Sequence, residues 1–327
     1  MNKTPELISV IVTNYNHAKY LDQRMESLLK QTYPNLEIIV VDNRSTDNSL
    51  DVLSKYKKFG RVKIVALDEN VGFINSSNLG VSLSHGKFFV FAEADDYSEP
   101  TQIELLHNAI VDDEQVGVAF CRSFLVDANG KVVGDDFNHR DLSFRKFCSK
   151  DKLIPKVLAR RFLLFSLIIP NFSAVLFRRK YFDLAGGLLL NKKCPEWEFW
   201  FRISRHCDFY YLTTKLNYYR MHATSYMALL GIESTIIGIM EVLYTASREA
   251  QLTFWEQFQF RINIGLIWGR YRKPAPEVWW QWFPSIWWQS LKYDKLSLIY
   301  LMLAFIKRGF ERMIEMVLTG EAKKAIV

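Results

Sequence analysis

The sequence lacks the short motifs that mark several common enzyme classes. No GxGxxG run follows the first predicted strand, no GxxxxGKS/T loop is present, and no GxSxG turn occurs. These absences disfavour a dinucleotide-binding fold, a P-loop enzyme and a hydrolase with a serine elbow. The four cysteines have neither the spacing of a zinc site nor that of a disulfide framework.

Long apolar segments are also missing. A membrane-spanning helix needs about 18–20 consecutive apolar residues. The nearest candidate, residues 162–177, is interrupted by Pro170 and Asn171. No signal peptide is recognised at the amino terminus, so a reducing cytoplasmic setting is the simplest expectation.

The composition is that of a folded protein whose basic charge is concentrated near one end. Of the 327 residues, 49% are hydrophobic and 24% charged, as in globular chains. The last 58 residues carry ten Lys and Arg against five Asp and Glu, which is +5 of the net +7. Seven of the nine tryptophans lie beyond residue 250. Because this charge accompanies tryptophans and no recognised binding module, nucleic acid is not a predicted partner.

The first hundred residues alternate apolar strands with amphipathic helices. Strands are predicted at 7–13, 36–41, 62–67 and 87–92. Ser45 or Thr46 is predicted to cap the helix after the second strand. This alternation indicates a parallel sheet covered on both faces, with ligands bound beyond the carboxyl ends of its strands.

An acidic cluster, FAEADDYSEP, follows the fourth strand and contains Glu93, Asp95 and Asp96. A hard cation such as Mg²⁺ or Mn²⁺ takes one or two carboxylates from a protein and completes its shell with phosphate oxygens. Asp95 is therefore the strongest candidate ligand. The alternative is that Asp95 and Asp96 only cap the helix that starts near Pro100.

Two other polar pairs admit both a functional and a structural interpretation. Asp42 and Asn43 end the second strand and could accept hydrogen bonds from a base or a ribose, or could form an Asx turn. Arg220 suits a diphosphate through its planar donor fork, and His222 could ligate a metal or contact phosphate. Lone histidines, however, are more often structural.

The segment CPEWEFWFRIS places Glu196 and Glu198 beside Trp197 and Trp200. A carboxylate against an aromatic surface tends to have a raised pKa and can act as a general base. The alternative is a solvated carboxylate on an ordinary helix.

Together these segments resemble family 2 glycosyltransferases of the nucleotide-sugar-binding A-type fold. In chain order they read SVIVTNYNHAKYLDQRMESLLKQTYPNLEIIVVDNRSTDNS, ENVGFINSSNLGVSLSHGKFFVFAEADDYSEP, FSAVLFRRKYFDLAGG, PEWEFWFRIS and YRMHATS. The resemblance covers roughly residues 6–225. It implies an α/β fold with a Rossmann-like mixed, mainly parallel sheet sandwiched by helices. Residues 1–100 would be the nucleotide-sugar-binding half, 101–225 the acceptor-binding half, and 226–327 a helical, aromatic-rich extension.

The resemblance also implies a nucleotide-sugar site at the strand ends. Its members would be Thr13, Asn14, Tyr15, Asn16, Asp42, Asn43, Asn70, Gly72, Asn78, Glu93, Ala94, Asp95 and Arg220. This chain departs from the family pattern at three of the matched positions. Asn43 stands where an Asp often reads the base, Ser77 replaces an Arg that often precedes Asn78, and Glu93 replaces the usual Asp.

The chemistry that the resemblance implies is metal-dependent, inverting sugar transfer. Asp95 matches the family's metal ligand and His222 its histidine near the metal, with Mg²⁺ or Mn²⁺ as cofactor. Glu196 falls where the family places its base, although Asp is more usual there. The donor would be a nucleoside-diphosphate sugar, and the acceptor a saccharide or lipid-linked saccharide in bacterial-type cell-surface polysaccharide or lipid-linked glycan assembly.

Two alternatives stay open at this point. The departures at Asn43, Ser77, Glu93 and Glu196 would also suit a catalytically weakened member that binds nucleotide sugar or acts as a scaffold. Nucleotidyl transfer shares the acidic strand end, but a glycine-rich phosphate loop after the first strand is absent.

The region beyond residue 226 combines Trp and Tyr with flanking Lys and Arg, which is typical of the membrane–water interface. Each basic residue near anionic lipid contributes about 1 kcal/mol. We expect peripheral attachment to the inner face of the membrane. The alternative is that these aromatics pack against the catalytic domain or form a homodimer interface.

Overall fold

The computed structural model describes residues 5–137, 142–165, 168–169, 171–190, 194–222 and 232–271, with positions 288, 291–295, 299–300, 302–303 and 306 beyond them. The chain forms two compact units that divide between residues 225 and 226.

The first unit is built on one mixed sheet. Its strands are β1 (Ile8–Asn14), β2 (Leu36–Asp42), β3 (Val62–Ala66), β4 (Phe88–Phe91), β5 (Tyr97–Ser98), β6 (Val116–Val126), β7 (Val132–Asp135), β8 (Lys152–Ile154), β9 (Val175–Arg178) and β10 (Asp208–Arg220). Its helices are α1 (Ala18–Leu29), α2 (Ser49–Ser54), α3 (Gly72–Ser82), α4 (Gln102–Asn108), α5 (Leu142–Phe147), α6 (Lys156–Phe165), α7 (Arg179–Leu184) and α8 (Pro195–Ile203). The strand order is β3-β2-β1-β4-β9-β6-β10-β5, with β7 on β6 and β8 on β10.

The four strands of the first hundred residues form the parallel part of the sheet. β1 lies between β2 and β4, and β3 lies outside β2, all in parallel register. Apolar side chains from β1, β2 and β4 are buried in the core, as expected for strands covered on both faces. The predicted α/β fold with a mixed, mainly parallel sheet is confirmed. Because these strands run the same way, their carboxyl ends meet at one edge.

The rest of the sheet brings later residues to that same edge. β9 runs antiparallel between β4 and β6, and β10 runs parallel to β6. The short strand β5 then pairs antiparallel with the end of β10, joining Tyr97 to Tyr218 and Ser98 to Asn217. The loop after β4 is therefore held beside residues 217–222.

The predicted helix cap at Ser45 or Thr46 is wrong, and so is the alternative interpretation of Asp95 and Asp96 as helix caps. α2 begins at Ser49 after Asn48, and the Ser45 hydroxyl instead accepts hydrogen bonds from Asn14 Nδ2 and Asn16 N. α4 has Thr101 at its N-cap position, so Asp95 and Asp96 do not cap it. In both places a tertiary contact takes the polar side chain that local sequence would assign to a helix end.

Among residues 232–271 of the second unit, the helices Ile232–Glu249 and Phe254–Tyr271 bury Leu243, Tyr244 and Phe260. Within the described part of the chain, no helix is both long and apolar enough to span a bilayer. The side chains of Phe254 and Trp255 are 75% and 70% exposed. Most of the predicted interfacial tryptophans, at 268, 279, 280, 282 and 287, lie outside the residues whose side chains the structure describes.

The packing of α3 on the sheet gives a first prediction. A Cβ added at Gly80 would overlap Ile11 Cγ2 on β1, whereas one added at Gly134 would meet Leu125 Cδ1 at 4.0 Å. Gly-to-Ala changes inside helices usually stabilise a protein by about 1 kcal/mol. Gly80→Ala should instead lower the free energy of unfolding by about 1–3 kcal/mol, because the stiff isoleucine must move.

Urea unfolding of both variants checks this, with Gly134→Ala as the control that stays near wild type. A Gly80→Ala protein more stable than wild type would contradict the close packing of α3 on β1.

Candidate active site

Asp42 joins the ends of the two central parallel strands. It is fully buried, its Oδ2 accepts from Asn14 Nδ2 at 2.7 Å, and its Oδ1 accepts from Ser45 N at 2.9 Å. The second bond is the local turn contact that the structural interpretation expected. Asp42 and Asn14 therefore shape the edge of the site, and their contact with a nucleotide stays a prediction.

Asn43 connects the end of β2 to the loop that follows β3. Its Nδ2 donates to Asn70 Oδ1 at 2.9 Å, and its Oδ1 accepts from Val71 N at 2.9 Å. Gly72, with φ +80°, donates its N–H to the same Asn70 oxygen. The Asn43 amide thus orders the loop before α3, and a role in reading a base stays a prediction.

The remaining predicted donor-site residues differ in exposure. Tyr15 is 43% exposed and Thr13 is half-buried. Asn16 has the left-handed φ of 59°, and its Oδ1 accepts from Thr46 N at 2.7 Å. The Asn78 side chain contacts the segment after α7, since its Nδ2 donates to Leu188 O at 2.7 Å.

Two buried arginines hold the acidic loop after β4. Arg24 of α1 donates from Nε to Glu93 O at 2.8 Å and from Nη2 to Ser173 Oγ at 3.2 Å. Arg220 of β10 donates from Nε to Asp95 O at 2.7 Å, and its backbone N–H donates to Asp96 Oδ1 at 2.9 Å. Both side chains are at most 2% exposed. The loop is thus fixed through the carbonyls of Glu93 and Asp95 and through the Asp96 side chain. The Asp95 carboxylate remains available to other partners.

The other donors of Arg220 also go to protein groups. Nη1 contacts the carbonyl oxygens of Asp127 and Ala128, and Nη2 donates to Gln23 Oε1 at 2.6 Å. The guanidinium also lies 4.5 Å from the ring centre of Tyr20. Arg220 is thus a positioning residue, and its direct contact with a diphosphate stays a prediction.

The predicted metal residues Asp95 and His222 lie together, and a third residue joins them. His222 Nε2 is 2.8 Å from Asp95 Oδ2, and the imidazole of His17 lies edge-on to that of His222 with ring centres 5.7 Å apart. Potential ligand atoms of all three lie within 4.8 Å of one another. Imidazole nitrogens and a carboxylate oxygen are a fitting donor set for a divalent cation.

The three acids of the loop have different proton affinities. Burial raises the pKa of Glu93 well above its usual range, and the charges of Asp96 and Asp95 add to this. Burial and the charge of Asp95 raise the pKa of Asp96 to about 7. Burial would also raise the pKa of Asp95, but the hydrogen bond with His222 and the charges of both histidines hold it below its usual value. Asp95 is therefore the loop's principal anion at neutral pH.

Glu196 lies in the first turn of α8, which the aromatic core anchors. Trp200 is buried and stacks on Phe177 of β9, with ring centres 5.7 Å apart. Burial raises the pKa of Glu196 to about 7, and its charge also raises the pKa of Glu93. In the described ranges no hydrogen bond or ion pair reaches its half-buried carboxylate, whereas Glu198 receives Arg202 Nε at 2.7 and 2.8 Å. Glu196 can therefore exchange a proton near neutral pH.

Sequence reasoning missed His17, Arg24 and Ser173. Ser173 Oγ accepts from Glu93 N at 3.1 Å and contacts Glu93 Oε2 at 3.3 Å. Only His17 carried a usable signal, since it follows β1 at the edge where the other polar residues converge. Arg24 and Ser173 contact the acidic loop only because of the tertiary fold, and no local sequence pattern indicates it.

Comparisons with known proteins identify the family to which the chain belongs. The profile of the family described as Glycosyl transferase family 2 matches residues 9–184. An uncharacterized glycosyltransferase of Haemophilus influenzae is 30% identical over 204 residues, which cover 61% of this chain and 60% of that protein. A hyaluronan synthase of Pasteurella multocida is 29% identical over 168 residues, which cover 51% of this chain and 16% of that protein. The match thus spans less than two thirds of either relative.

Solved structures share the fold. The crystal structure of S. aureus TarS in complex with UDP-GlcNAc has a TM-score of 0.59 at 20% identity and covers 81% of this chain and 72% of that chain. The mannosyltransferase PcManGT of Pyrobaculum calidifontis in complex with GDP-Man and Mn²⁺ has a TM-score of 0.55 at 16% identity and covers 93% and 87%. At such identities the likeness concerns the fold alone.

The raised pKa of Glu196 predicts a pH-dependent gain in stability on substitution. A carboxyl whose pKa is higher in the folded state than in the unfolded state stabilises the fold fully below about pH 4.5, and this contribution is lost as the pH rises through about 7. Glu196→Gln should therefore raise the free energy of unfolding at pH 8 by about 1–2 kcal/mol, allowing for partial exposure. At pH 5 the variant should match wild type.

Chemical denaturation at the two pH values checks this. Glu198→Gln is the matched control, because that substitution breaks an ion pair and should give no gain at pH 8. A Glu196→Gln protein with equal stability changes at both pH values would argue against an ionised, unpaired Glu196.

Proposed function

Because the chain belongs to glycosyl transferase family 2, we propose that it transfers a sugar from a nucleoside-diphosphate sugar to an acceptor hydroxyl with inversion at the anomeric carbon. The family resemblance recognised in the sequence is confirmed by the profile match. The observation that carries the proposal is that a candidate cation cluster at Asp95 occurs in the same unit as Glu196, a carboxylate of near-neutral pKa that receives no hydrogen bond or ion pair from the described residues. These are the two functions that such a transfer needs.

The donor is assigned to the parallel strand ends of residues 1–100. Nucleotide sugars are present in two proteins of the same fold, UDP-GlcNAc in TarS and GDP-Man in PcManGT. In open α/β sheets such ligands lie beyond the carboxyl ends of the strands. Exposed Tyr15 directly follows β1 at this edge, and Asp95 lies in the loop that follows β4. The diphosphate would therefore lie toward Asp95, with the nucleoside toward β2 and β3.

Asp95 and His222 are the residues that would hold Mg²⁺ or Mn²⁺. A bound cation would act as a Lewis acid on the diphosphate leaving group. The residues fit this role because Asp95 keeps its charge while its acidic neighbours tend to hold protons. Fewer ionised carboxylates around Asp95 mean less mutual repulsion, and the Asp95 charge favours a cation there.

Glu196 is assigned as the general base. Its carboxylate would take the proton of the acceptor hydroxyl as that oxygen forms a bond to the anomeric carbon. The bond from this carbon to the diphosphate oxygen breaks on the opposite side, and the electron pair leaves with the nucleoside diphosphate. A positioned base contributes typically about 10²–10⁴-fold to such a reaction. The acceptor would lie over residues 101–225, on the side of α8.

The acceptor class is a saccharide or a lipid-linked saccharide in polysaccharide assembly. The relatives named hyaluronan synthase and chondroitin synthase support a saccharide. Exposed Phe254 and Trp255 support peripheral attachment to a membrane surface. The weakened, non-catalytic member of the family and the homodimer stay predictions.

The role of Glu196 predicts the pH profile of turnover. Below pH 7 the rate should fall about tenfold per pH unit as Glu196 takes up a proton. Glu196→Gln should lower turnover by about 10²–10⁴-fold at pH 8 and abolish the dependence on pH. Release of nucleoside diphosphate from UDP-GlcNAc, GDP-Man and other nucleotide sugars, with Mn²⁺ and a saccharide panel, is the measurement.

Glu198→Gln is the control here, and it should keep turnover within tenfold of wild type with an unchanged profile. A wild-type rate no faster than that of Glu196→Gln, in protein that binds a nucleotide sugar, would favour the weakened binding or scaffold member.

A further inference from the structure

We propose that His17 is a third protein ligand of the cation at Asp95 and His222, so that this chain binds Mn²⁺ before any nucleotide arrives and prefers it to Mg²⁺. The inference rests on the proposed function only in assuming that this edge takes a divalent cation.

The backbone around His17 is fixed from both sides by the loop between β2 and α2. The preceding residue, Asn16, has φ 59° and accepts from Thr46 N through its side chain. The following residue, Ala18, donates its N–H to Asp47 Oδ2 at 3.0 Å. His17 is the residue at the N-cap position of α1, and its carbonyl oxygen accepts a hydrogen bond from Tyr20 N at 2.8 Å. The imidazole therefore projects from a backbone that contacts across the strand ends keep in place.

The spacing of the three side chains suits one shared ion. Ligand atoms bound at about 2.0–2.2 Å from a metal lie about 3.0–4.4 Å from one another, depending on the angle between them. The atoms of His17, Asp95 and His222 already lie within 4.8 Å of one another. Small side-chain rotations would bring them to a common centre.

Tyr20 helps to hold the two imidazoles in this arrangement. Its ring centre lies 5.4 Å from that of His222 and 6.2 Å from that of His17. Tyr20 also contacts the buried guanidinium of Arg220. An imidazole pair supported in this way is pre-organised, so that cation binding would not have to order two free side chains.

The donor set determines which ion is preferred. Mg²⁺ requires oxygen ligands and keeps several waters. Mn²⁺ shares the preference for oxygen, but as a first-row transition ion it accepts imidazole nitrogen more readily than Mg²⁺ does. A site with one carboxylate alone would depend on phosphate oxygens from the nucleotide. Two imidazoles with one carboxylate supply three protein ligands, which is enough to hold Mn²⁺ in the nucleotide-free chain.

The test is an electron paramagnetic resonance titration of free Mn²⁺ with the nucleotide-free full chain. Wild type should bind one Mn²⁺, and a hundredfold excess of Mg²⁺ should fail to displace half of it. His17→Gln should weaken Mn²⁺ binding at least tenfold. His85→Gln is the matched control, because His85 is an exposed histidine paired with Glu37 at the opposite end of the strands, and its affinity should equal that of wild type.

A spectroscopic readout separates ligation from a structural effect. Electron spin-echo modulation of bound Mn²⁺ should show imidazole nitrogen coupling that is reduced, not abolished, in His17→Gln. A His17→Gln protein with wild-type affinity and coupling overturns the proposal. Equal competition by Mg²⁺, or no Mn²⁺ binding without nucleotide, overturns it too. A thermal melt near that of wild type identifies the variant as folded, and His17→Asn replaces it if that condition fails.

The two proposals fail in different ways. If Mn²⁺ binding depends on His17 but no nucleotide sugar is ever turned over, the proposed function is wrong and the cation site stands. If turnover follows the Glu196 profile while His17→Gln leaves Mn²⁺ affinity unchanged, the function stands and His17 is not a ligand.

Discussion

The candidate site depends on the buried guanidinium of Arg220. Its donors reach the carbonyl of Asp95, the turn at Asp127 and Ala128, and the side chain of Gln23 on α1. One side chain thus joins the acidic loop to two other segments that are distant in sequence. Removing it would leave several partly buried acceptors without this donor, at a cost of up to about 1–3 kcal/mol each. His222 lies two residues further along the chain, so the same contact also sets the approach of its imidazole to Asp95.

Charge balance follows from this arrangement. The charges of Asp96, Asp95 and Glu196 all raise the pKa of Glu93 beyond the effect of burial, and the buried Arg24 opposes them as a countercharge. Neighbouring carboxyl groups in a low-dielectric interior cannot all be ionised at the same time, because their negative charges repel one another. Raised pKa values at Glu93 and Asp96 relieve the repulsion, and Asp95 keeps its charge beside two histidines. Burial alone raises the pKa of Glu196. The arrangement separates an anion suited to a cation from an acid–base group suited to proton transfer.

The sequence predicted the parallel strands well, because continuous runs such as those of β1 and β2 are typical of buried strands. It also predicted that Asp95 and His222 belong to one site, although they are 127 positions apart, since their motifs resembled those of a known family. Arg24 and Ser173, which are 149 positions apart, could not be found in this way. Their meeting depends on β9 lying beside β4. The Ser45 cap failed for a similar reason, since Asn14 and Asn16 take up its hydroxyl.

Anomalous diffraction at the manganese edge, from crystals containing Mn²⁺ and UDP, tests the central claim most directly. The account predicts one peak within about 2.5 Å of an Asp95 carboxylate oxygen and a His222 imidazole nitrogen. It also predicts diphosphate oxygens on the same ion and the Glu196 carboxylate free of it. A peak bound to Glu93, Asp96 or Glu196, with Asp95 still paired to His222, would contradict the account.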